Sequence, residues 1–425
     1  MSKVLRRHWT TDFSAPPRSD RHPCEYEAYL PDTLVGRSFT LDGEVAADVA
    51  EAEAAIARRN VEAAALIDTE ALARILLRAE AVASSRIEGL EVGARRLLHA
   101  EVARGLDAAT SDVTASEVLG NIDAMVYAIG TVNEGDAITA DVLLGVHERL
   151  LSGPRLEKYG GRFREQQNWI GGSSHNPCSA AFVPPPPEYV EDLIADLCEF
   201  CNDDSLPTVA QAAIAHAQFE TIHPFVDGNG RTGRALIHLV FRRRGLALRV
   251  LPPVSLVLAT WSRSYIEALD ATRYRGPATG KDAHAGANRW IGRFAGACIR
   301  AVADSDAFEA RARDIQRSWR GRVPNVRRNS ATDLLLGALT GAPVITVTSA
   351  AALIGRSFPA ANNAVSQVVA AGILNQVNLG RRNRAYETPE IIAAFTDLER
   401  QLASPDGDTR KSEPARRVPR RPADR

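Results

Sequence analysis

Residues 223–234, HPFVDGNGRTGR, bring together a histidine, a carboxylate, three glycines and two arginines between two apolar-periodic stretches, TVAQAAIAHAQFETI and ALIHLVFRRRGL. Both stretches repeat apolar residues at helical spacing, so the segment is a loop joining two helices. The start of the second helix offers backbone N–H groups with no partner inside the helix, and its dipole favours anions there. Gly228 and Gly230 let the backbone approach a ligand closely. Arg231 and Arg234 fall three apart in the first turn, on one face, where the dipole disfavours cations, so the pair implies a bound polyanion. Asp227 among phosphate-seeking groups is best explained by a divalent metal, Mg²⁺ by default, bridging it to phosphate oxygens. The imidazole of His223 is suited to take a proton from an attacking hydroxyl at neutral pH. A base, a metal ligand, an anion nest and charge neutralisers are the parts needed for attack on a nucleotide phosphate. A plain helix–turn–helix corner with a satisfied histidine needs no such set. A P-loop is excluded because no Gly-Lys-Ser/Thr closes the loop.

The segment resembles the Fic motif, HPFx[DE]GNGRxxR, at every specified position. The similarity extends to NWIGG and VPPPP, which resemble the Fic flap, and through the order of helices over roughly residues 40 to 300, with a winged helix appended as in many bacterial members. The resemblance implies a protein adenylyltransferase that moves AMP from ATP onto a Ser, Thr or Tyr hydroxyl of a protein target, with Mg²⁺ as cofactor. It implies that His223 deprotonates the hydroxyl and that Asp227 holds the metal. Gly228, Asn229 and Gly230 would form the anion hole, and Arg231 and Arg234 would bind the β- and γ-phosphates. Trp169, Ile170 and Gly171 of the flap would pair with the target's backbone. A second segment, SSRIEG (Ser84 to Gly89), resembles the inhibitory pattern [ST]xxxE[GN], with Ser84 and Glu88 on one helical face. In the family this glutamate pairs with the motif's second arginine, here Arg234, and withholds it from the γ-phosphate; the N-terminal position resembles the second inhibition class. The resemblance also suggests a homodimer. Two other readings stand beside transfer from ATP. One is a related activity with another nucleotide donor or removal of AMP, and the other is a DNA-binding regulator with a nucleotide-sensing Fic domain.

The elements that must position these groups are mainly helical. Residues 1–38 carry prolines and turn residues and read as an irregular arm. Helical periodicity then predicts helices near 42–60, 69–87 (ended by Gly89), 92–105, 115–131, 139–151, 187–201, 207–222, 231–244, 262–272 and 285–320. Residues 162–187 break this pattern with a short apolar run, a Gly-Gly turn and four prolines, predicting a β-hairpin flap. Residues 329–390 follow the order of a winged helix-turn-helix, with Asn362, Asn363, Ser366 and Gln367 on the polar side of its recognition helix and Arg381, Arg382 and Arg384 on the wing, equally suited to DNA or to docking. The resulting division is an arm (1–38), a helical region with the inhibitory helix (39–130), a Fic core (131–305), a connector (306–328), a winged helix (329–398) and a disordered basic tail (399–425). In the helices flanking the loop, His216 and His238 read as packed residues. Tyr265 and Trp261 are candidates for the nucleoside pocket.

Composition narrows the partners. With 51 Lys+Arg against 52 Asp+Glu, no global field draws the chain to nucleic acid or membrane, and no stretch approaches ~18 uninterrupted apolar residues. Five scattered cysteines do not look like a disulfide framework, and the absence of a signal-like N-terminus points to a reducing cytoplasm. Cys198 and Cys201 form a CxxC on one amphipathic helix and read as core residues.

Overall fold

The computed structural model describes residues 1–11, 18–64, 69–106, 112–153, 156–379 and 383–401. The wing turn with Arg381 and Arg382, and the tail beyond Gln401, lie outside the described residues. In chain order the elements are β1 (Lys3–Trp9), β2 (Cys24–Leu30), α1 (Gly43–Ala64), α2 (Thr69–Ile87), α3 (Ala94–Arg104), α4 (Val113–Thr131), α5 (Ala140–Leu150), α6 (Val190–Cys201), α7 (Thr208–Ile222), α8 (Asn229–Arg243), α9 (Val254–Thr260), α10 (Ser262–Ala271), α11 (Lys281–Arg322), α12 (Ala331–Ala338), β3 (Val344–Ile345), α13 (Val347–Ile354), α14 (Phe358–Ala370), β4 (Asn375–Leu379), β5 (Asn383–Glu387) and α15 (Pro389–Gln401). The chain is mainly helical, as its periodicity predicts, and it divides into two compact units. Among the described residues no helix is long and apolar enough to cross a membrane.

The first unit comprises Met1–Ala54, Asp123–Leu248 and Arg263–Gly296. Its centre is α7, on which every residue from Thr208 to Ile222 is buried. A helix buried on all sides must present small side chains to its neighbours, and Ala210, Ala212, Ala213, Ala215 and Ala217 do so. Trp290 of α11 is 1% exposed and donates its indole N–H to the Ala213 carbonyl at 2.6 Å.

The arm expected at residues 1–38 is instead largely ordered. β1 and β2 pair antiparallel from Lys3↔Leu30 to Trp9↔Cys24. Charged residues on both faces of KVLRRHW blur its period-2 signal, and the fourteen residues between the strands carry no tight-turn signature. A second correction concerns the cysteines, because Cys24 of β2 and Cys178 form a disulfide. Their separation of 154 residues gave no local clue to the pairing. Cys198 and Cys201 are free and buried, as expected of core residues.

The second unit comprises Ala55–Ile122, Arg249–Ser262 and the described part of Ala297–Arg425. α2 packs along α9, a helix the sequence reading missed, and the fully buried Glu80 joins them by accepting from the Ser255 N–H (2.7 Å) and hydroxyl (2.5 Å). A buried carboxylate with both oxygens satisfied is tolerable where an unpaired one would not be. Toward the C-terminus, β3, β5 and β4 form an antiparallel sheet in that order. Trp319, Leu335, Leu339, Ile345, Val365 and Ile391 share its core. α13 opens with a reciprocal capping box between Thr346 and Ser349 and closes on Gly355 at φ 61. α15, with Pro389 at its first position, extends past the sequence-derived end of this region.

Trp290→Phe keeps most of the apolar volume but leaves the buried Ala213 carbonyl without this donor. The expected outcome is a loss of about 1–3 kcal/mol, read from the urea midpoint at constant m-value.

Candidate active site

α7 ends at Ile222 and α8 begins at Asn229, so residues 223–228 must reverse the chain in six residues. His223 caps α7 in the left-handed region (φ 50, ψ 59), which costs a non-glycine residue energy and persists only where neighbours hold it. Those neighbours are identifiable. Arg164, 3% exposed, donates to four backbone oxygens: Nε to His223 (2.9 Å), Nη1 to Gln166 (3.1 Å), and Nη2 to Pro185 (2.5 Å) and Ile222 (3.3 Å). Burial lowers its pKa to about 10, so the guanidinium stays charged at neutral pH and answers the negative end of α7. Asn168 adds Nδ2 bonds to the His223 (3.2 Å) and Phe225 (3.0 Å) carbonyls.

Inside the loop, the Asn229 carboxamide closes a reciprocal pair with Phe225, accepting its N–H and donating to its carbonyl, each at 2.8 Å. The Asn229 side chain is therefore engaged in shaping the loop, which leaves its backbone N–H as what it can offer an anion. Gly228 lies at φ 77, and a Cβ there would meet Leu150 at 2.8 Å, so only glycine fits. The first i→i−4 bond of α8 runs from Thr232 N–H to the Gly228 carbonyl at 3.0 Å. The N–H groups of Asn229, Gly230 and Arg231 precede it, as the sequence requires of an anion cradle.

Arg231 is 3% exposed, and its Nε and Nη1 are shielded from solvent with no hydrogen-bond partner among the described residues. Its Nη2 lies 3.4 Å from Asp227 Oδ1. A buried guanidinium with unmet donors is costly unless an anion completes it. Arg234 is 1% exposed, three residues further along the same face of α8. The Asp227 side chain is half exposed, at 47%, and no cluster of three or more metal-binding side chains is found among the described residues. One carboxylate fits a cation completed mainly by substrate phosphates and water, which is the usual coordination of Mg²⁺.

The sequence reading missed Arg164 and also His147. On α5, His147 is fully buried and stacks on Phe225 at 3.6 Å between ring centroids. Its Nδ1 accepts from Gly161 N–H (3.2 Å), so Nε2 carries the proton and donates to the Asp227 carbonyl (3.0 Å). Burial first, then the Arg231 charge, lowers its pKa to about 4. Nothing in the helical pattern of residues 140–150 distinguishes it. His216 is packed, as expected, at 2.8 Å from the hydroxyl of the buried Tyr265, and its pKa falls to about 3 by burial. His238 is likewise fully buried.

In the expected flap, one antiparallel bridge joins Ile170 and Phe182, with Ile170 N–H donating to Phe182 (2.8 Å) and Ala181 N–H to Ile170 (2.9 Å). Gly171 and Gly172 turn at φ 74 and 72. The indole of Trp169 donates to the Ser173 carbonyl at 2.6 Å and meets Trp9 edge-on at 5.5 Å. Tyr29 N–H of β2 donates to Val183 at 2.9 Å, so the N-terminal hairpin backs this segment. In the second unit, Ser84 is buried on the last turns of α2. Glu88 lies one residue past the helix end, exposed, in a turn closed by Leu90 N–H to Ser85 O (3.0 Å) with Gly89 at φ 82.

The first unit is thus a helical domain in which the loop from His223 to Gly228, carrying a histidine and a carboxylate, leads into the N-terminus of α8. Residues 137–241 match the Fic/DOC family and residues 46–130 match the Fic/DOC family N-terminal region. Over 135 residues, 31% of this chain, it is 37% identical to protein adenylyltransferase fic-1 of Caenorhabditis elegans, covering 24% of that protein. Over 143 residues, 33% of this chain, it is 36% identical to protein adenylyltransferase Fic of Culex quinquefasciatus, covering 26% of it. The chain therefore aligns with about a quarter of the length of these curated relatives. Among solved structures, a Fic family protein from Desulfovibrio desulfuricans G20 is similar in fold, with a TM-score of 0.50 at 22% identity over 82% of this chain and 97% of that one.

Because His147 and His216 are held neutral by burial, the unfolded chain binds protons that the folded one does not once pH falls below the ordinary histidine value of 6.5. Stability is fully present above pH 6.5 and declines down to about pH 4 through His147 and on to about pH 3 through His216, with His147 accounting for about 3 kcal/mol at most. Urea unfolding from pH 7.5 to 4 checks this. In His147→Gln, whose amide can still donate to Asp227 and accept from Gly161, the decline should be shallower by one proton's contribution.

Proposed function

We propose that this protein is a protein adenylyltransferase, transferring AMP from ATP to a Ser, Thr or Tyr hydroxyl of a protein target. The observation that carries the reading is the unmet donor set of the buried Arg231, placed beside the first-turn N–H groups of α8 and within reach of a histidine and a carboxylate. The relatives named as adenylyltransferases support the same reading.

In this mechanism the phosphates of ATP lie on the N-terminus of α8, against Gly228, Asn229 and Gly230, with Arg231 and Arg234 meeting the β- and γ-phosphates. Asp227 would hold a divalent cation such as Mg²⁺, which would neutralise phosphate charge. The target hydroxyl oxygen attacks the α-phosphorus, its proton passes to His223, and the bond to the β-bridging oxygen breaks, releasing pyrophosphate. Trp169, Ile170 and Gly171 would guide the target's backbone as an added strand, so that residues 162–187 act as a β-hairpin flap. Glu88, following Ser84 on α2, restrains the transfer as an internal carboxylate competing for arginine charge.

We further infer that residues 329–398 form a winged helix. In support, α14 buries Ala361, Ala364, Val365 and Val368 while Asn362, Asn363, Ser366 and Gln367 stay exposed, and Arg384 is exposed on β5. That polar face suits DNA readout or docking of a partner.

His223→Ala is expected to bind ATP as the parent does and to lose at least about a hundredfold in transfer, since only the proton acceptor is removed. Calorimetry with ATP and intact-mass detection of an AMP adduct check the two halves separately. Parental adduct formation by the variant would exclude His223 as the base. Glu88→Gly is expected to raise adduct formation roughly tenfold, the effect of losing one charge-assisted pair. Glu88→Gln, which keeps the backbone, should act in the same direction. Unchanged activity in both would exclude the inhibitory role.

A further inference from the structure

Within the second unit, a cavity of about 400 Å³ opens between α2, α3 and the β3–α13 segment. Its volume is that of a small-molecule site and far beyond what one or two waters need. Its lining is mixed. Polar groups come from Arg74 and Arg78, one turn apart on α2, from Glu101 of α3, and from Thr346, Thr348 and Ser349 at the opening of α13. Apolar groups come from Leu98, Val102 and Leu353.

The charges of this cavity do not cancel. Arg78 is committed, since Nε and Nη2 grip both oxygens of Glu101 (2.9 and 2.7 Å) and Nη1 donates to the Gly341 carbonyl (3.0 Å). Arg74 is not committed to the same degree. Among the described residues its ion pair is a 3.4 Å contact with Glu70; the two side chains are 37% and 84% exposed, so solvent screens that attraction. Its Nε is shielded from solvent and has no hydrogen-bond partner among the described residues. The capping box at the start of α13 uses the N–H of Ser349, leaving the N–H groups of Val347 and Thr348 in the first turn, where the helix dipole favours an anion.

We infer that this cavity binds a small organic anion, a carboxylate or phosphate attached to an apolar body. The anionic group meets Arg74 and the first turn of α13, and the body lies against Leu98, Val102 and Leu353. The site is distinct from the nucleotide cradle of the first unit. Because Arg74 and Arg78 belong to the helix that leads to Ser84 and Glu88, an occupant bears on the segment proposed above to restrain transfer, and that consequence rests on the proposed role of Glu88.

The probe is 1-anilinonaphthalene-8-sulfonate, a fluorescent anion with an apolar body, titrated into the full chain. Saturable enhancement with one site per chain is expected, displaced by hexanoate and by hexyl phosphate but not by hexanol at equal concentration. Arg74→Ala should weaken binding by about tenfold, the effect of one charged contact, and Val102→Trp should abolish it by filling the cavity. Thermal unfolding of both variants confirms that they are folded. An undiminished response in both variants, displacement by hexanol as effective as by the anions, or no saturable response in the parent would each overturn the proposal. Adduct formation from ATP is read in parallel, in the parent and in Glu88→Gly, with and without saturating hexyl phosphate. A change in the parent that disappears in Glu88→Gly supports the coupling, and no change in the parent removes the coupling. The fluorescence titration judges the site itself whether or not Glu88 proves inhibitory.

Discussion

The site depends on one constraint, the need to satisfy the backbone where α7 stops and α8 starts six residues later. A helix C-terminus leaves carbonyls without partners, and a helix N-terminus leaves N–H groups without partners. The protein treats the two ends differently. The carbonyls of Ile222, His223 and Phe225 are met by Arg164, Asn168 and Asn229, side chains fixed by the fold. The first N–H groups of α8 precede its internal bonding and are the ones an anion can use. The left-handed turn at His223 and the glycine-only turn at Gly228 are possible because those carbonyl clamps hold the loop from both sides.

The same division explains why two buried arginines behave oppositely near the loop. Arg164 is buried against four carbonyl oxygens and is structurally satisfied. Arg231 is buried with two nitrogens that find no hydrogen-bond partner among the described residues. Desolvating a guanidinium without partners is unfavourable, so a fold that retains one holds potential binding energy for an incoming polyanion. His147 stays neutral for a related reason, since its burial beside Arg231 penalises a second positive charge at the base of the cradle.

What could be read from the sequence divides along similar lines. HPFVDGNGRTGR is local, and its glycines, acid and arginines announce their backbone and charge roles by type and spacing alone. Most helices were legible because their apolar periodicity is long, down to the closing Gly89 of α2. Arg164 and His147 were not legible, because their partners are carbonyls and rings brought near only by the fold, 59 residues away for the Arg164–His223 contact and 80 for His147–Asp227. The β1–β2 hairpin escaped because charged residues occupy both of its faces, and the Cys24–Cys178 bridge because its halves lie 154 residues apart. The short α9 escaped because seven residues give too little periodicity to recognise.

If the N-terminus of α8 presents the α-phosphate of ATP to an attacking protein hydroxyl, the fate of each phosphorus is fixed. The most direct test incubates the purified chain, alone and with cell extract freed of small molecules, with ATP labelled at either the α- or the γ-phosphorus. Covalent label on protein from α-labelled ATP, release of the γ-label as pyrophosphate, and suppression of both by the His223→Ala substitution are expected. Protein labelled from γ-labelled ATP in a His223-dependent manner would show that the terminal phosphoryl group is the one transferred and would contradict the account.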